Sequence, residues 1–94
     1  MVQQSHDSTA GVYGITVAAR LVGTGVQNLR AYERAGLIRP QRTEGGTRLY
    51  SQDDVERLTE VQLLLGRGLN LVGIAMVFEL RADNELLRRR LRQQ

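Results

Sequence analysis

The sequence LRAYERAGLIRP (residues 29–40), followed by RTEGGTRLYS (residues 42–51), decides how this chain folds. The first part predicts a short helix with arginines on one face. The second part predicts a β-hairpin, because Gly45-Gly46 supplies the positive φ that a tight turn needs. Arg42 and Arg48 flank that turn. A helix and a hairpin that both present arginines suit a surface that follows a phosphate backbone.

A further helix is predicted just upstream, so that two short helices joined by a glycine turn form a helix-turn-helix unit. Thr16 is a suitable N-cap for the first helix, and residues 23–25 (Gly-Thr-Gly) end it. The second helix is expected over residues 26–35, with Gly36 at its C-terminus. In such a unit the second helix enters the major groove of DNA.

This second helix is amphipathic. Val26 and Leu29 are expected to point inward, with Tyr32 beside them. The polar side chains at spacings i, i+3 and i+7 on the opposite face are Gln27, Arg30 and Arg34. A charged helix face alone is usually only solvated. The adjoining hairpin, with an arginine on each side of its turn, favours nucleic-acid binding over that simpler interpretation.

The segments on either side of the hairpin also carry clear signals. Leu37-Ile38 is expected to begin a short strand, and Pro40 prevents a helix from continuing. Ser51 with Asp54 three residues later is a capping box. The capping box predicts a helix that runs to about Leu65.

The chain divides into three parts. Residues 1–12 are polar and lack periodicity, so we expect a disordered leader. Residues 13–82 are expected to form one folded domain. Residues 83–94 are expected to form a separate short C-terminal helix, capped by Asp83 or Asn84.

Composition narrows the class of function. All thirteen basic residues are arginines, against ten acidic residues, and the formal net charge is +3. The positions of the arginines therefore matter more than their number. An all-arginine set suits bidentate contacts to phosphate and guanine, although a GC-rich genome explains it as well. Three tyrosines and one phenylalanine leave little for base stacking, which counts against single-strand binding.

Several kinds of site are not expected. The chain has no cysteine, which excludes disulfides and thiolate metal sites. The one histidine, His6, lies in the polar leader, and we expect neither a metal site nor a cofactor. No nucleophile with a partner base is visible, so we expect no catalytic residues and no enzyme activity. The sequence shows neither a membrane-spanning run nor a signal peptide, which predicts a cytoplasmic, nucleoid-associated protein with no membrane partner.

Three features allow two interpretations each. Tyr32 and Tyr50 are expected to pack their rings inside and to offer their hydroxyls to phosphate. The run of arginines at 88–90, with Arg92, suits DNA contact or, better, a solvated helix end. The leucines that indicate either a partner helix or packing on the domain's own helices are Leu86, Leu87 and Leu91.

Four motifs occur in order between residues 15 and 74. They are Leu29-Arg30-x-Tyr32-Glu33, Gly36-Leu37-Ile38-x-Pro40-x-Arg42, Gly46-x-Arg48-x-Tyr50-Ser51-x-x-Asp54-Val55 and Gly68-Leu69-Asn70-Leu71-x-Gly73-Ile74. At this spacing they resemble the DNA-binding domain of MerR-type transcriptional regulators. Within that family the likeness is to the actinobacterial heat-shock repressor (HspR) subgroup.

The resemblance implies a mainly α fold: a MerR-like winged helix-turn-helix with a short β-hairpin wing, a second helix pair and a short C-terminal helix. It also implies dimers on pseudo-palindromic promoter sites, held by a long antiparallel coiled coil. The residues that fall where family members approach bases or adjacent phosphates are Gln27, Asn28 and Arg30. Those that fall at backbone-contact positions are Tyr32, Arg42, Thr43, Arg48 and Tyr50, and the helix stripe adds Arg34.

The chain departs from the family pattern at its C-terminal end. After Asp83 only eleven residues remain, which is about 17 Å of helix and too short for the family's coiled coil. We therefore expect a weak homodimer or a DNA-assisted oligomer. A protein co-regulator and a missing C-terminal portion are both left open.

The leading hypothesis is a sequence-specific regulator that binds double-stranded promoter or operator DNA and represses transcription. The alternative is an excisionase-like or architectural DNA-bending protein with the same winged fold. A third hypothesis is a protein-interaction module whose arginines bind an acidic partner.

Overall fold

The computed structural model describes residues 7–94, which contain four α-helices and one two-stranded antiparallel sheet. In chain order the elements are α1 (Ile15–Val22), α2 (Val26–Arg34), β1 (Gln41–Arg42), β2 (Arg48–Leu49), α3 (Gln52–Gly66) and α4 (Leu71–Arg92). The predicted mainly α class, with a hairpin between the second and third helices, is confirmed. None of the helices in this part of the chain is long and apolar enough to cross a membrane. Residues 1–6, with His6, lie outside the described residues.

The first two helices form the predicted helix-turn-helix. The N-cap of α1 is Gly14 and not Thr16, because the carbonyl of Gly14 already accepts the N–H of Ala18 at 2.9 Å. At the other end Gly23 adopts a left-handed conformation with φ 85°, and its N–H donates to the carbonyl of Ala19. A residue without Cβ adopts this conformation at little cost, so Gly23 ends α1 and turns the chain into α2.

The core lies where the four helices and the base of the hairpin meet. Two alanines on α1 are small enough to let the helix approach α2 and α3 closely. The buried residues of the main cluster are Ala18, Ala19, Leu29, Tyr32, Leu37, Ile38, Tyr50, Leu58, Val61, Leu64 and Ile74. Every helix contributes to this set, so each is held in a fixed rotation about its own axis.

The connection between α2 and β1 is buried but is not a strand. Leu37 and Ile38, predicted to begin a strand, both lie in the core. The Nε of Arg57 donates to the carbonyl of Leu37 at 2.6 Å, and its guanidinium lies 4.2 Å from the ring centroid of Phe78. Because a side chain from α3 takes this carbonyl, the segment does not pair with a strand. The sheet therefore begins later, at Gln41.

The hairpin itself forms as predicted. The register pairs are Gln41 with Leu49 and Arg42 with Arg48. Residues 43–47 form the loop, which the N–H of Thr43 closes by donating to the carbonyl of Thr47 at 2.9 Å. Gly46 has a φ of 88°, whereas Gly45 is not among the residues with positive φ. One glycine of the predicted pair therefore makes the turn.

Residues 7–13 form an N-terminal strap along the base of the hairpin. The N–H groups of Val12 and Tyr13 donate to the carbonyl of Tyr50, each at 2.9 Å, and the N–H of Tyr50 donates back to Tyr13 at 2.7 Å. The N–H of Gly11 donates to Oε1 of Gln41 at 2.8 Å, and Nε2 of Gln41 donates back to the strap's backbone. Residues 7–12 therefore differ from the disordered leader that the sequence predicted.

The start of α3 follows the prediction. The Oγ of Ser51 accepts the N–H of Asp54 at 3.0 Å, and Oδ2 of Asp54 accepts the N–H of Ser51 at 2.9 Å. This reciprocal arrangement is a capping box, in which two helix N-terminal donors are satisfied at once. It fixes the point at which the chain leaves the hairpin and enters α3.

The last helix is longer than the sequence predicted. α4 is continuous from Leu71 to Arg92, so the predicted separate helix over residues 83–94 is wrong and that segment is the second half of α4. Asp83 and Asn84 do not break it, because neither reduces helix stability by more than about 0.7 kcal/mol relative to alanine. Of the two interpretations of the terminal leucines, packing on the domain's own helices is not seen: Leu86, Leu87 and Leu91 are 47%, 55% and 68% exposed.

Candidate nucleic-acid interface

α2 presents a polar face to solvent because its other face is held in the core. Leu29 is fully buried and Tyr32 is 4% exposed, so the rotation of the helix about its axis is fixed. The exposed side chains that result are Gln27, Asn28, Arg30 and Arg34. The predicted polar stripe is therefore confirmed as a surface. Its contact with DNA stays a prediction.

The amide of Asn28 has a defined orientation. Its Nδ2 donates to Oγ1 of Thr24 at 2.8 Å, from the first turn of α2 back to the turn between the helices. This bond uses one of the two amide N–H groups and leaves Oδ1 and the other N–H for a further partner. One acceptor and one donor side by side form the pattern that reads the major-groove edge of adenine.

The two arginines of the hairpin lie on the same carboxylate. Nε of Arg48 is 2.6 Å from Oε1 of Glu33, and Nη2 of Arg42 is 2.8 Å from Oε2. The hairpin register places these arginines directly opposite each other, and Glu33 reaches them from the last turn of α2. The sequence-predicted arginines are thus brought together beside the C-terminus of the helix that carries the polar stripe.

The pKa of Glu33 reflects this arrangement. The hydrogen bond from Arg48 is the largest cause that holds the pKa of the carboxyl below its ordinary value of 4.5. A carboxyl with a lowered pKa in the folded state stabilises the fold above its unfolded pKa. That contribution is lost only as the pH falls through the lower folded value. The link between α2 and the hairpin therefore does not change near neutral pH.

The remaining predicted contact in the loop is Thr43, which lies at the start of the turn and is exposed. Its Oγ1 accepts the N–H of Thr47 at 3.1 Å. The hydroxyl thus orders the loop and can donate its own hydrogen outward. This is the geometry expected of a residue at a phosphate-contact position.

The two tyrosines predicted to contact phosphate pack their rings in the core, as expected. Tyr50 is fully buried, and its hydroxyl has no hydrogen-bond partner within residues 7–94. This burial raises the pKa of the Tyr50 phenol. The hydroxyl of Tyr32 accepts a hydrogen bond from Nε2 of Gln62 on α3. The structure therefore differs from the expectation for Tyr50, whose hydroxyl is enclosed and not offered at the surface. The hydroxyl of Tyr32 keeps its own hydrogen to donate, so its contact with phosphate stays a prediction.

The arginine run near the C-terminus lies on the exposed second half of α4. Two of its members share one carboxylate: Nε of Arg89 and Nη2 of Arg92 lie 3.3 and 3.5 Å from Oε1 of Glu85. These exposed pairs are the kind that contribute little to stability. The geometry matches the predicted solvated helix end.

Sequence reasoning missed two residues that organise this surface. Glu33 joins α2 to the hairpin, and Gln41 joins the hairpin to the strap. The only sequence signal for Glu33 is an acidic residue directly after Tyr32, nine and fifteen residues before the two arginines that it binds. Within residues 7–94 no group of three His, Cys, Asp or Glu side chains could hold a metal ion.

Comparison with known proteins gives a consistent result. The family model described as MerR HTH family regulatory protein matches residues 13–80. A Streptomyces coelicolor protein that carries the name heat shock protein HspR is 50% identical over 70 residues, which are 73% of this chain and 46% of that protein. The HTH-type transcriptional regulator GlnR of Bacillus cereus is 38% identical over 69 residues, which are 73% of this chain and 54% of the regulator. The chain thus spans about half the length of the curated relatives it matches.

A solved structure supports the same relationship. HiNmlR, a regulator of the same kind that lacks the sensor domain and was crystallised bound to promoter DNA, aligns with a TM-score of 0.71 and 28% identity. The alignment covers 84% of this chain and 61% of HiNmlR. The matched proteins are transcriptional regulators and not enzymes.

Proposed function

The chain belongs to the MerR family of helix-turn-helix regulatory proteins, and on that premise we propose that it binds double-stranded promoter DNA sequence-specifically and regulates transcription. The observation that carries this proposal is the joining of two arginine-bearing elements through Glu33. Glu33, on the helix that carries the exposed stripe, binds both arginines of the hairpin. We place α2 in the major groove and the hairpin, as the wing, on the phosphate backbone.

We assign the exposed residues to two roles. Asn28 and Arg30, with Gln27, lie on the first two turns of α2 and are proposed to face bases or the phosphates beside them. The residues proposed to contact the backbone are Arg34, Thr43 and Arg48. Arg42, also a candidate contact by sequence, is proposed instead to support the wing, because its terminal nitrogens donate to Glu33 and Gly46. We assign Tyr32 and Tyr50 to the support of these elements, because the core engages or encloses their hydroxyls.

We propose repression as the direction of regulation. The support is the sequence likeness to the heat-shock repressor subgroup and the 50% identity to the HspR protein. A DNA-bound regulator of this kind would act at the nucleoid in the cytoplasm. A protein co-regulator would reach the chain through surface other than α2 and the wing.

Two measurements test the proposal. The first is selection of a duplex by the protein from a randomised pool, followed by titration of the selected duplex and of a scrambled duplex with the same composition. About four to six phosphate contacts per protomer give a slope of log affinity against log salt of about −4 to −5. A flat salt response, or equal affinity for both duplexes, would contradict the proposal.

The second measurement is a map of the genomic sites that the protein occupies, with transcript levels in its presence and absence. A few promoter sites with higher transcription in its absence support a repressor. Arrayed sites beside a recombination locus would instead support the excisionase-like or architectural alternative. Binding to an acidic protein without affinity for duplex DNA beyond a featureless background would support the interaction module.

A further inference from the structure

The Glu33 cluster, which comprises Glu33, Arg42 and Arg48, uses both oxygens of one carboxylate. Arg48 donates to Oε1 and Arg42 to Oε2, so each oxygen holds one of the two arginines. Arg42 also donates through Nη1 to the carbonyl of Gly46, at the turn of the wing, at 3.0 Å. One helix residue is thus connected to both strands of the wing and, through Arg42, to its tip.

The carboxylate in this cluster reduces the repulsion between two neighbouring arginines. Arg42 and Arg48 are register partners in the hairpin, and like charges directly opposite each other destabilise a strand pair. The carboxylate between them offsets that repulsion. The side chains of Glu33 and Arg48 are only 23% and 30% exposed, so solvent screens this interaction less than it screens a fully exposed pair.

The two arginines are not equivalent donors. Within residues 7–94, Arg48 donates through Nε alone, so both of its terminal nitrogens remain open to another acceptor. Arg42 already uses one N–H of each terminal nitrogen, one for Glu33 and one for Gly46. The hydrogen-bond pattern thus leaves a guanidinium fork on Arg48 that matches the geometry of a phosphate, and makes Arg42 a brace within the protein.

We propose that Glu33 is a positioning residue that locks the wing to α2 and aims the terminal nitrogens of Arg48 at a DNA phosphate, with Arg42 as the brace. The inference rests on the proposed function and adds to it different roles for the two arginines of the wing. The ordering of the two arginines before DNA arrives reduces the entropy lost on binding. It also fixes the distance between the wing contact and the bases under α2, so that specificity depends on Glu33.

The test compares Glu33→Gln with its parent on the selected and the scrambled duplex. Glutamine keeps the size of the side chain, but it removes the charge and replaces one acceptor oxygen by a donor. We expect affinity for the selected duplex to fall about tenfold, through the loss of ordered contacts. Affinity for the scrambled duplex should hold or rise, because a negative charge has been removed near the DNA.

The matched control is Glu44→Gln. Glu44 is an exposed glutamate in the wing loop, so its replacement removes the same charge without disturbing the Glu33 cluster. It should shift both duplexes equally and preserve the ratio of their affinities. A Glu33→Gln variant that behaves like Glu44→Gln would overturn the proposal, since charge alone would then explain both.

Variants of the two arginines distinguish the supporting role of Arg42 from the phosphate contact of Arg48. Arg48→Gln should weaken binding to both duplexes and reduce the magnitude of the salt slope by about 0.9, as expected for one lost phosphate contact. Arg42→Gln should lower discrimination, as Glu33→Gln does, and leave the salt slope near that of the parent. Equal slope changes in the two arginine variants would contradict the division of roles.

The outcomes also separate this inference from the proposed function. A parent protein that does not discriminate between the duplexes defeats the function itself. A parent that discriminates, beside a Glu33→Gln variant that discriminates equally well, defeats only the positioning role. Thermal melts of each variant establish that the protein is folded at the assay temperature. A proportional loss on both duplexes that tracks a lowered melting temperature would reduce Glu33 to a stabilising residue.

Discussion

Arg30 is the residue on α2 for which base reading can be tested most directly. It is exposed on the second turn of the helix, directly after the buried Leu29 that anchors it. We expect Arg30→Ala to weaken binding to the selected duplex by ~1–3 kcal/mol and to relax the preference at one base position. Arg88→Ala, which removes an exposed arginine from the second half of α4, is the control and should have little effect. Equal losses on selected and scrambled DNA for Arg30→Ala would make it a phosphate contact.

Tyr50 differs from Arg30 because its hydroxyl is enclosed in the core and not exposed. The hydroxyl is buried without a partner, and its removal should leave stability unchanged or raise it by up to ~1 kcal/mol. We therefore expect Tyr50→Phe to melt at or above the parent's temperature and to bind DNA equally well. Tyr32→Phe loses the bond to Gln62 and should reduce stability by ~0.5–1.5 kcal/mol. Weaker DNA binding by Tyr50→Phe, with an unchanged melt, would show that the hydroxyl reaches phosphate after all.

The strap is the element whose packing leaves least room. A Cβ added at Gly11 would lie 2.8 Å from Oε1 of Gln41 and 2.9 Å from the Cβ and carbonyl oxygen of Leu49. The backbone of β2 cannot yield as a side-chain tip can, so Gly11→Ala should reduce stability by ~1–3 kcal/mol. Gly66 is the last residue of α3 and has open space around it. Gly66→Ala should therefore raise the free energy of unfolding by up to ~1 kcal/mol. Thermal or denaturant unfolding measures both. A Gly11→Ala melt equal to the parent's would mean that the strap is only loosely attached.

α3 offers a comparison within one helix. Leu58 is fully buried, whereas Leu63 is 52% exposed. Leu58→Ala should reduce the free energy of unfolding by ~2–5 kcal/mol, since it removes buried surface and leaves a cavity. The same change at Leu63 should cost less than about 1 kcal/mol, because its side chain is already half in water. Similar losses at the two positions would show that α3 is rotated from the orientation described above.

The elements that sequence reasoning predicted correctly are those specified by neighbours in the chain. The capping box of Ser51 and Asp54 and the turn at Gly46 each depend on a few consecutive residues, and both formed. The errors concern contacts between distant residues. The strap depends on Gln41 and Tyr50, about thirty to forty residues away. Leu37 was assigned to a strand because its local pattern could not show that Arg57 would take its carbonyl.

The same distinction holds for the candidate site. The stripe on α2 follows from helical periodicity and was predicted in full, as the exposure of Arg30 shows. The enclosure of the Tyr50 hydroxyl was not predicted, because it depends on a backbone pairing with Tyr13 rather than on residue type. The role of Glu33 depends on the hairpin register, which sequence alone did not specify.

At the scale of the whole molecule, the second half of α4 is the surface that we expect to limit association between copies of this chain. Its leucines are exposed, but the intervening arginines at 88–90 would repel their counterparts in a parallel pair. We expect the 94-residue chain to be a monomer or a weak dimer at micromolar concentration and to bind a two-site duplex cooperatively. Sedimentation equilibrium and titration of one-site and two-site duplexes test this. A tight dimer at nanomolar concentration would contradict the expected monomer or weak dimer. Identical per-site affinities on the two duplexes would contradict the expected cooperativity.

Because α4 continues through Asp83 and Asn84, the direction in which each later side chain points about the helix axis is fixed. Ile74 anchors the start of this helix in the core, so every later residue has an azimuth fixed relative to α2. One residue inserted after Ala82 would swing the terminal leucine face by about 100° and advance it by about 1.5 Å. Seven inserted residues would restore the face to within about 20°. A partner that binds that face is therefore held at a fixed angle to α2. We expect changes in length at this point to be tolerated only in whole helical repeats.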